Sequence, residues 1–339
     1  MKVNPRQLFG VVSCTALATW LLLVAVSTSV SADEKTELNA VHANGGVSIA
    51  EGAAKVLHYQ RGMKSLDGKY PRANYVHPLY DLDGNELTED FPADHPHQRG
   101  IYWAWHQVWV GEEKISDPWA LKNAEWEVTE VMTKEAANQV KLVATVLWKS
   151  PLWLDASCQQ KPFVREETTV CIHRAAANHR AIDFEIRLLA LEPGVRIGGS
   201  EDEKGYGGFS PRVRLPADVR FLSEKGPLEP QASAMDGGAW VDLTGTYGKN
   251  EATSGIAILC HPTLPVFPPP WILRRKNSMQ NAVYPGAKAV LLSETKPLVL
   301  RYRLVIHRGA ATAKQITSWQ AEYAASAVKQ IKPAADSAP

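Results

Sequence analysis

The chain lacks any strong imbalance of charge: among its 339 residues, 37 Lys and Arg stand against 36 Asp and Glu, for a formal net charge of +1. Nothing in that balance favours nucleic acid or an anionic membrane surface as a partner. Cysteine is scarce at four residues, and a chain of this length folds on its core without needing disulfides. Past residue 26 there is no apolar run of about twenty residues, so a protein that spans a bilayer repeatedly is excluded. Internal repeats, a phosphate-binding Gly loop, a Gly-x-Ser-x-Gly elbow and a zinc-protease helix motif are all missing, and the enzyme classes built on them lose their support.

The longest apolar run, Leu8 to Val26, follows Lys2 and Arg6 and precedes the small residues Val30-Ser31-Ala32. This is the layout of a cleavable secretory signal over residues 1–32, giving a periplasmic or secreted protein with no membrane association after cleavage. A retained anchor is the alternative, since the run nearly reaches spanning length. Too little apolar sequence precedes Cys14 for a lipoprotein cysteine. Cleavage removes two basic residues and no acidic one, taking the net charge from +1 to −1. It leaves Cys158, Cys171 and Cys260, an odd number, so at least one thiol is free.

Alternation dominates from residue 125 onward. In AIDFEIRLLA, Ile182, Phe184, Ile186 and Leu188 point one way while Asp183, Glu185 and Arg187 point the other, the period of a half-buried strand. PLVLRYRLVIH repeats the pattern and places Arg301 and Arg303 on an outer face. QVKLVATVLW, REETTVCIH, VRIGG, VRFLS and SGIAILC add short strands between Gly, Pro and Asn turn signals. Together they predict an all-β protein, a large antiparallel β-sandwich over residues 33–328 as one domain. The exception is one C-terminal helix, about residues 313–328, with Thr312 as N-cap and Ile316, Trp319 and Tyr323 as its apolar stripe. The tail 329–339 has nothing to bury and reads as disordered.

The stretch DHPHQRG, residues 94–100, concentrates the chemistry. It lies on an irregular segment that feeds the strand-like IYWAW, and in extended geometry His95, His97 and Arg99 project to one side. Three readings fit. Two imidazoles on extended chain can ligate a divalent metal such as Zn, with His77, His106 or His261 as third ligand. A sugar or carboxylate site can use His95 or His97 as general acid or base and Arg99 to orient the ligand, with no cofactor required. Alternatively, Asp94 and the histidines only stitch the loop together. Trp103, Trp105 and Trp109 alternate just downstream, and Trp faces suit pyranose rings as well as they suit a core. At most one of the three is expected to line a pocket.

Two further clusters accompany it. In GGFSPRVRL, Gly207 and Gly208 permit close backbone approach and Arg212 and Arg214 share a face; Arg212 is expected beside Arg99, with an acidic sugar or a carbonyl oxygen held between them. Residues 260–286 are too rich in Pro for an interior strand, and His261, Trp271, Asn281 and Tyr284 are expected to form one wall of a cleft. With His77 and His106 they complete the substrate-binding candidates.

YVHPLYDLDGNELTEDFPADHPHQRGIYWAW, GGFSPRVRLP, HPTLPVFPPPWILR and SMQNAVYPG closely resemble a family of exported bacterial proteins labelled "methane oxygenase PmoA" or a domain of unknown function, over about residues 45–308. The oxygenase label conflicts with the absence of membrane spans, and oxidation of methane is set aside. The predicted fold also resembles the supersandwich of galactose-mutarotase-like proteins, whose sites use His, Glu and Arg on a concave sheet face, and HPHQRG loosely resembles the His-Gly-Phe-Ala-Arg stretch of sugar epimerases. The expected function is an exported carbohydrate-active protein, an epimerase, lyase or glycoside-cleaving enzyme, binding a mono- or oligosaccharide. The alternative is a non-catalytic saccharide-binding or envelope scaffold module.

Overall fold

Alternating burial along the strands builds two broad antiparallel sheets. The computed structural model describes residues 37–43, 45–248, 252–276 and 278–326; the proposed signal 1–32 and the tail 329–339 lie outside them. The eight-stranded sheet runs, in spatial order, Leu38–Ala43, Gly46–Glu51, Ala54–Gln60, Tyr75–Leu79, Ile101–Trp105, Gly207–Pro211, Asn281–Val283 and Trp271–Ile272. The nine-stranded sheet runs Glu125–Ala136, Gln139–Lys149, Val164–His173, His179–Ala190, Leu298–Arg308, Thr253–Cys260, Trp240–Thr246, Arg220–Ser223 and Gly226–Leu228. The chain is therefore the antiparallel β-sandwich that the period-two pattern predicts, with one helix among the described residues.

Register explains the fit. His179–Ala190 pairs with Leu298–Arg308 so that Ile182 meets Leu304, Phe184 meets Tyr302 and Ile186 meets Leu300, all buried. The same register sets Asp183 opposite Arg303 and Glu185 opposite Arg301 on the outer face, where each pair is also an ion pair. Across the sandwich Phe209 stacks on Tyr302 at 4.5 Å between centroids and meets Phe184 at 5.2 Å. Contacts of this kind make one continuous core from both inner faces.

One carboxylate sits inside that core. Glu166 is fully buried and accepts hydrogen bonds from Asn74 Nδ2 at 2.7 Å, Trp103 Nε1 at 2.8 Å, Trp148 Nε1 at 2.7 Å and the Thr168 hydroxyl. Trp103 belongs to the eight-stranded sheet and Trp148 and Thr168 to the nine-stranded one. Burial raises the Glu166 pKa, and these bonds work against that shift.

The helix Ala313–Ala325 starts at Thr312, which forms a capping box with Gln315. Ile316 and Tyr323 pack with Trp240, Leu259 and Val305 on the outer face of the nine-stranded sheet, while Trp319 is only partly buried there. Gln320 adds a bond to the Cys260 carbonyl at 2.8 Å. Cys158, Cys171 and Cys260 are all free thiols. No described helix is long and apolar enough to cross a membrane.

Candidate functional site

The segment that carries DHPHQRG covers the outer face of the eight-stranded sheet, and Gly100 fixes how it enters its strand. Gly100 has φ +56°, and a Cβ there would stand 2.1 Å from the Val76 carbonyl oxygen, so only glycine fits. Its N–H donates to Glu89 O at 2.8 Å, and its carbonyl accepts from Arg212 N at 2.7 Å. This pins Arg99 and Arg212 beside the acidic residues of the loop.

Both arginines are used up inside the protein. Arg99 is fully buried and pairs with Asp90 through Nε; its remaining donors reach Lys64 O at 3.1 Å, Tyr70 O at 2.9 Å and the Tyr75 hydroxyl. Arg212, equally buried, donates to Glu89 at 2.7 Å, to both oxygens of Asp94 at 2.8 and 3.0 Å and to Gln98 at 2.9 Å. Neither guanidinium is presented to a ligand, which corrects the orienting role expected of Arg99 and the ligand expected between the two. They are struts that hold the loop in shape.

The histidines behave differently. His95 Nδ1 lies 2.6 Å from Asp94, so Asp94 couples an imidazole on one side to Arg212 on the other. Burial alone would raise the Asp94 carboxyl, but the hydrogen bonds from Arg212 and His95 outweigh it and hold its pKa at about 2. His95 remains 42% exposed, so its ring is accessible. His97 packs edge-on against His95, with centroids 5.7 Å apart, and its ring nitrogens meet no hydrogen-bond partner among the described residues. Desolvation, reinforced by the nearby charges of His95, Arg72 and His106, lowers its pKa to about 4. At neutral pH it is an uncharged imidazole.

A second Asp–His pair stands close by. His106 Nδ1 lies 3.0 Å from Asp117, and the ring stacks on Trp119 at 5.3 Å. Trp119 in turn meets Tyr206 at 5.5 Å and Tyr102 at 5.7 Å, and Tyr206 accepts a bond from Arg274 at 2.6 Å. Tyr75, Tyr102, Ala104, Trp119, Ile272, Met279 and Val283 form the apolar layer beneath these rings. The site thus has two imidazoles oriented by carboxylates, one neutral imidazole without a partner, and an aromatic floor.

The three sequence clusters do converge. Ile101–Trp105 pairs with Gly207–Pro211, which pairs with Asn281–Val283. Asn281, fully buried, donates to Gly207 O at 2.9 Å and Phe209 O at 3.1 Å, so it joins strands instead of facing a ligand. A Cβ on Gly207 would meet Gly199 and Trp105 at 3.1 Å; the close approach is made by the protein's own chain.

Other candidates lie away from the rings. Trp271 is fully buried in the main core with its Nε1 on Gly238 O at 2.9 Å, and Tyr284 packs in the same core. Trp103 and Trp105 also face that core, while Trp109 lies partly exposed under Arg196. His261 sits on the opposite outer face against Tyr323 of the helix, with Nδ1 2.8 Å from Thr263. His77 holds Thr88 at 2.9 Å and lines an open cavity of about 600 Å³ with His58, Gln60, Lys64 and Glu86; burial lowers its pKa to about 4. His77 and His261 are therefore not placed as third ligands to His95 and His97. Among the described residues no group of three His, Cys, Asp or Glu stands at metal-binding spacing.

Four contributors escaped the sequence reading: Arg72, Asp117, Trp119 and Tyr206. Asp117 and Trp119 flank Pro118 in a short turn, SDPWA, whose signal reads only as a turn. Tyr206 immediately precedes the Gly207-Gly208 pair, and a lone Tyr there carries no signal of its own.

The chain belongs to a family of unknown function, DUF6807, whose model matches residues 46–320. That establishes the unknown-function half of the resemblance and lends nothing to the methane-oxygenase label. No curated protein matches the chain.

Proposed function

We propose that this is an exported carbohydrate-active enzyme that binds a saccharide on the outer face of the eight-stranded sheet and moves a proton on it. The observation that carries the reading is the grouping of His95 on Asp94, His106 on Asp117 and the unpartnered neutral His97 above an aromatic floor. A carboxylate behind an imidazole fixes its tautomer and makes it the better proton acceptor. His95 and His106 take that role. His97 stays neutral and offers an N–H to an oxygen on which negative charge develops, as neutral imidazoles do in proton abstraction next to a carbonyl.

Both carboxylates at the rings, Asp94 and Asp117, are tied to imidazoles. This favours epimerisation or elimination over glycoside cleavage, which ordinarily needs two free carboxyl groups flanking the bond. In the favoured chemistry one imidazole takes the proton from the carbon beside a carbonyl, and the electron pair moves to the oxygen facing His97. A proton then returns to the other side of the carbon, or a leaving group departs. The mutarotase-like proteins, to which the predicted fold is similar, also act on sugars with His on an open sheet face, which supports the reading as analogy.

Calorimetry of the purified protein against a panel of mono- and oligosaccharides tests binding, and deuterium uptake from heavy water at a ring carbon tests proton abstraction. Loss of exchange with binding intact in His95→Ala, His97→Ala or His106→Ala supports the enzyme. Binding without any exchange in the unaltered protein identifies a saccharide-binding module, and no binding across the panel removes the carbohydrate reading.

A further inference from the structure

Buried arginines in this protein end on carboxylates: Arg99 on Asp90, Arg212 on Glu89 and Asp94, Arg180 on Glu51. Arg72 breaks the pattern. It is 1% exposed and lies between two aromatic rings, its guanidinium carbon 4.7 Å from the centroid of Tyr102 and 4.8 Å from that of Trp126. Nη2 donates to the Pro118 carbonyl at 2.9 Å, while Nε finds no partner. No carboxylate of the described residues pairs with it.

The neighbouring acids are committed elsewhere. Asp90 holds Arg99 and Lys64, and Asp117 is shared by His106 and the Ala120 N–H at 2.9 Å. A buried cation without a countercharge is costly to fold, and aromatic faces repay only part of that cost. Burial is also the largest cause that lowers the Arg72 pKa, to about 10, so the charge persists at neutral pH. Two observations set this charge at the candidate site. The Pro118 carbonyl that Arg72 holds lies between Asp117 and Trp119, and the Tyr102 ring under Arg72 meets Trp119 at 5.7 Å, which stacks on His106 at 5.3 Å.

We infer that the saccharide taken by this site is anionic, with a carboxylate or sulfate ester that seats at His97 and His106 and supplies the countercharge Arg72 lacks. The inference rests on the saccharide reading above and narrows it. Arg72 acts from beneath the rings as a positioning charge, without contributing to proton transfer. A unit charge several ångströms away in such surroundings changes affinity on the order of tenfold to a hundredfold.

The test is calorimetry with three probes of equal length: a galacturonate oligomer, a sulfated galactose oligomer and the uncharged galactose oligomer. The anionic probes are expected to bind at least about tenfold more tightly, and whichever of the two is preferred identifies the source of the charge. Arg72→Met keeps the volume and removes the charge; it is expected to abolish the preference while thermal unfolding shows a folded protein. Arg72→Lys is expected to retain part of it. If Arg72→Met does not fold, the preference of the unaltered protein and its weakening by salt still decide the matter. Equal affinity for charged and uncharged probes overturns this inference alone, as does a preference that survives Arg72→Met. Absence of binding by all three, and by the wider panel, overturns the saccharide reading with it.

Discussion

Two histidines on the opposite outer faces of the sandwich, His173 and His97, are held in opposite charge states. On the nine-stranded sheet His173 lies 2.8 Å from Asp183, which also pairs with Arg303, and Arg303 covers the Tyr323 ring at 4.6 Å. His307 and Asp242 form a fully buried pair under the helix. On the eight-stranded sheet the pairing runs through Arg99 and Arg212 and then stops at His97. The consequence is legible in two imidazoles. The hydrogen bond to Asp183 is the largest cause that lifts His173 to about 9, whereas desolvation brings His97 to about 4. His173 is thereby a fixed cation while His97 is kept neutral and available, the state a proton-transfer site would use.

The contrast breaks most severely at the struts. Arg212→Ala leaves Glu89, Asp94 and Gln98 without their shared donor and is expected to cost about 3–5 kcal/mol, measured by urea denaturation; a cost below about 1 kcal/mol would show that the loop is held by something else. Next comes His97→Ala. With no hydrogen bond to lose, it should leave the melting temperature nearly unchanged while cutting proton exchange on the bound saccharide by about a hundredfold or more.

The pH dependence sharpens the same comparison. His173, raised above its ordinary value of 6.5 to about 9, contributes stability that is full below pH 6.5 and fades as the pH climbs through 9. His97 and His77, lowered to about 4, act in the other direction, since the unfolded chain takes up their protons first and stability falls as the pH drops from 6.5 toward 4. Nuclear magnetic resonance titration of the ring protons should give midpoints on opposite sides of neutrality for His173 and for His97 and His77, and matching midpoints would erase the distinction between them. The smallest effect belongs to Arg301→Ala on the paired face. Its bond to Glu185 is partly solvated, so the variant should lose no more than about 1 kcal/mol and bind saccharides unchanged.

Strands were readable because burial on one side of a sheet imposes period two on the sequence; AIDFEIRLLA and its partner strand pair in the register their alternation implies. The C-terminal helix was equally plain from Thr312 and its stripe. The site was only half readable. DHPHQRG contributes two of the grouped imidazoles, but the acidic partners of Arg99 and Arg212 are Glu89, Asp90 and Asp94 of the same segment, so the charges that looked aimed at a ligand cancel locally. Arg72 has the opposite problem. In KYPRANY nothing marks it as unpaired, because a missing partner is a property of three-dimensional neighbours. Trp271, His261 and Tyr284 misled for a related reason, since a Pro-rich loop that packs inward has the same composition as one that lines a cleft.

The Glu166 node also governs how the two layers are aligned. Its four donors come from three strands and one loop, with Oε1 taking Asn74, Trp103 and Thr168 and Oε2 taking Trp148, so that donors of both sheets meet on one carboxylate. Shifting either sheet by one residue turns Trp103 or Trp148 to the other side and leaves a carboxylate stranded in hydrocarbon. Apolar contacts tolerate such a slip, because one methyl group substitutes for another; a carboxylate with directed donors does not. Glu166 therefore works as a locating pin, converting a core that could slide into one with a single admissible alignment, and with it a single placement of the residues that flank the Trp103 strand, His97 before it and His106 after it.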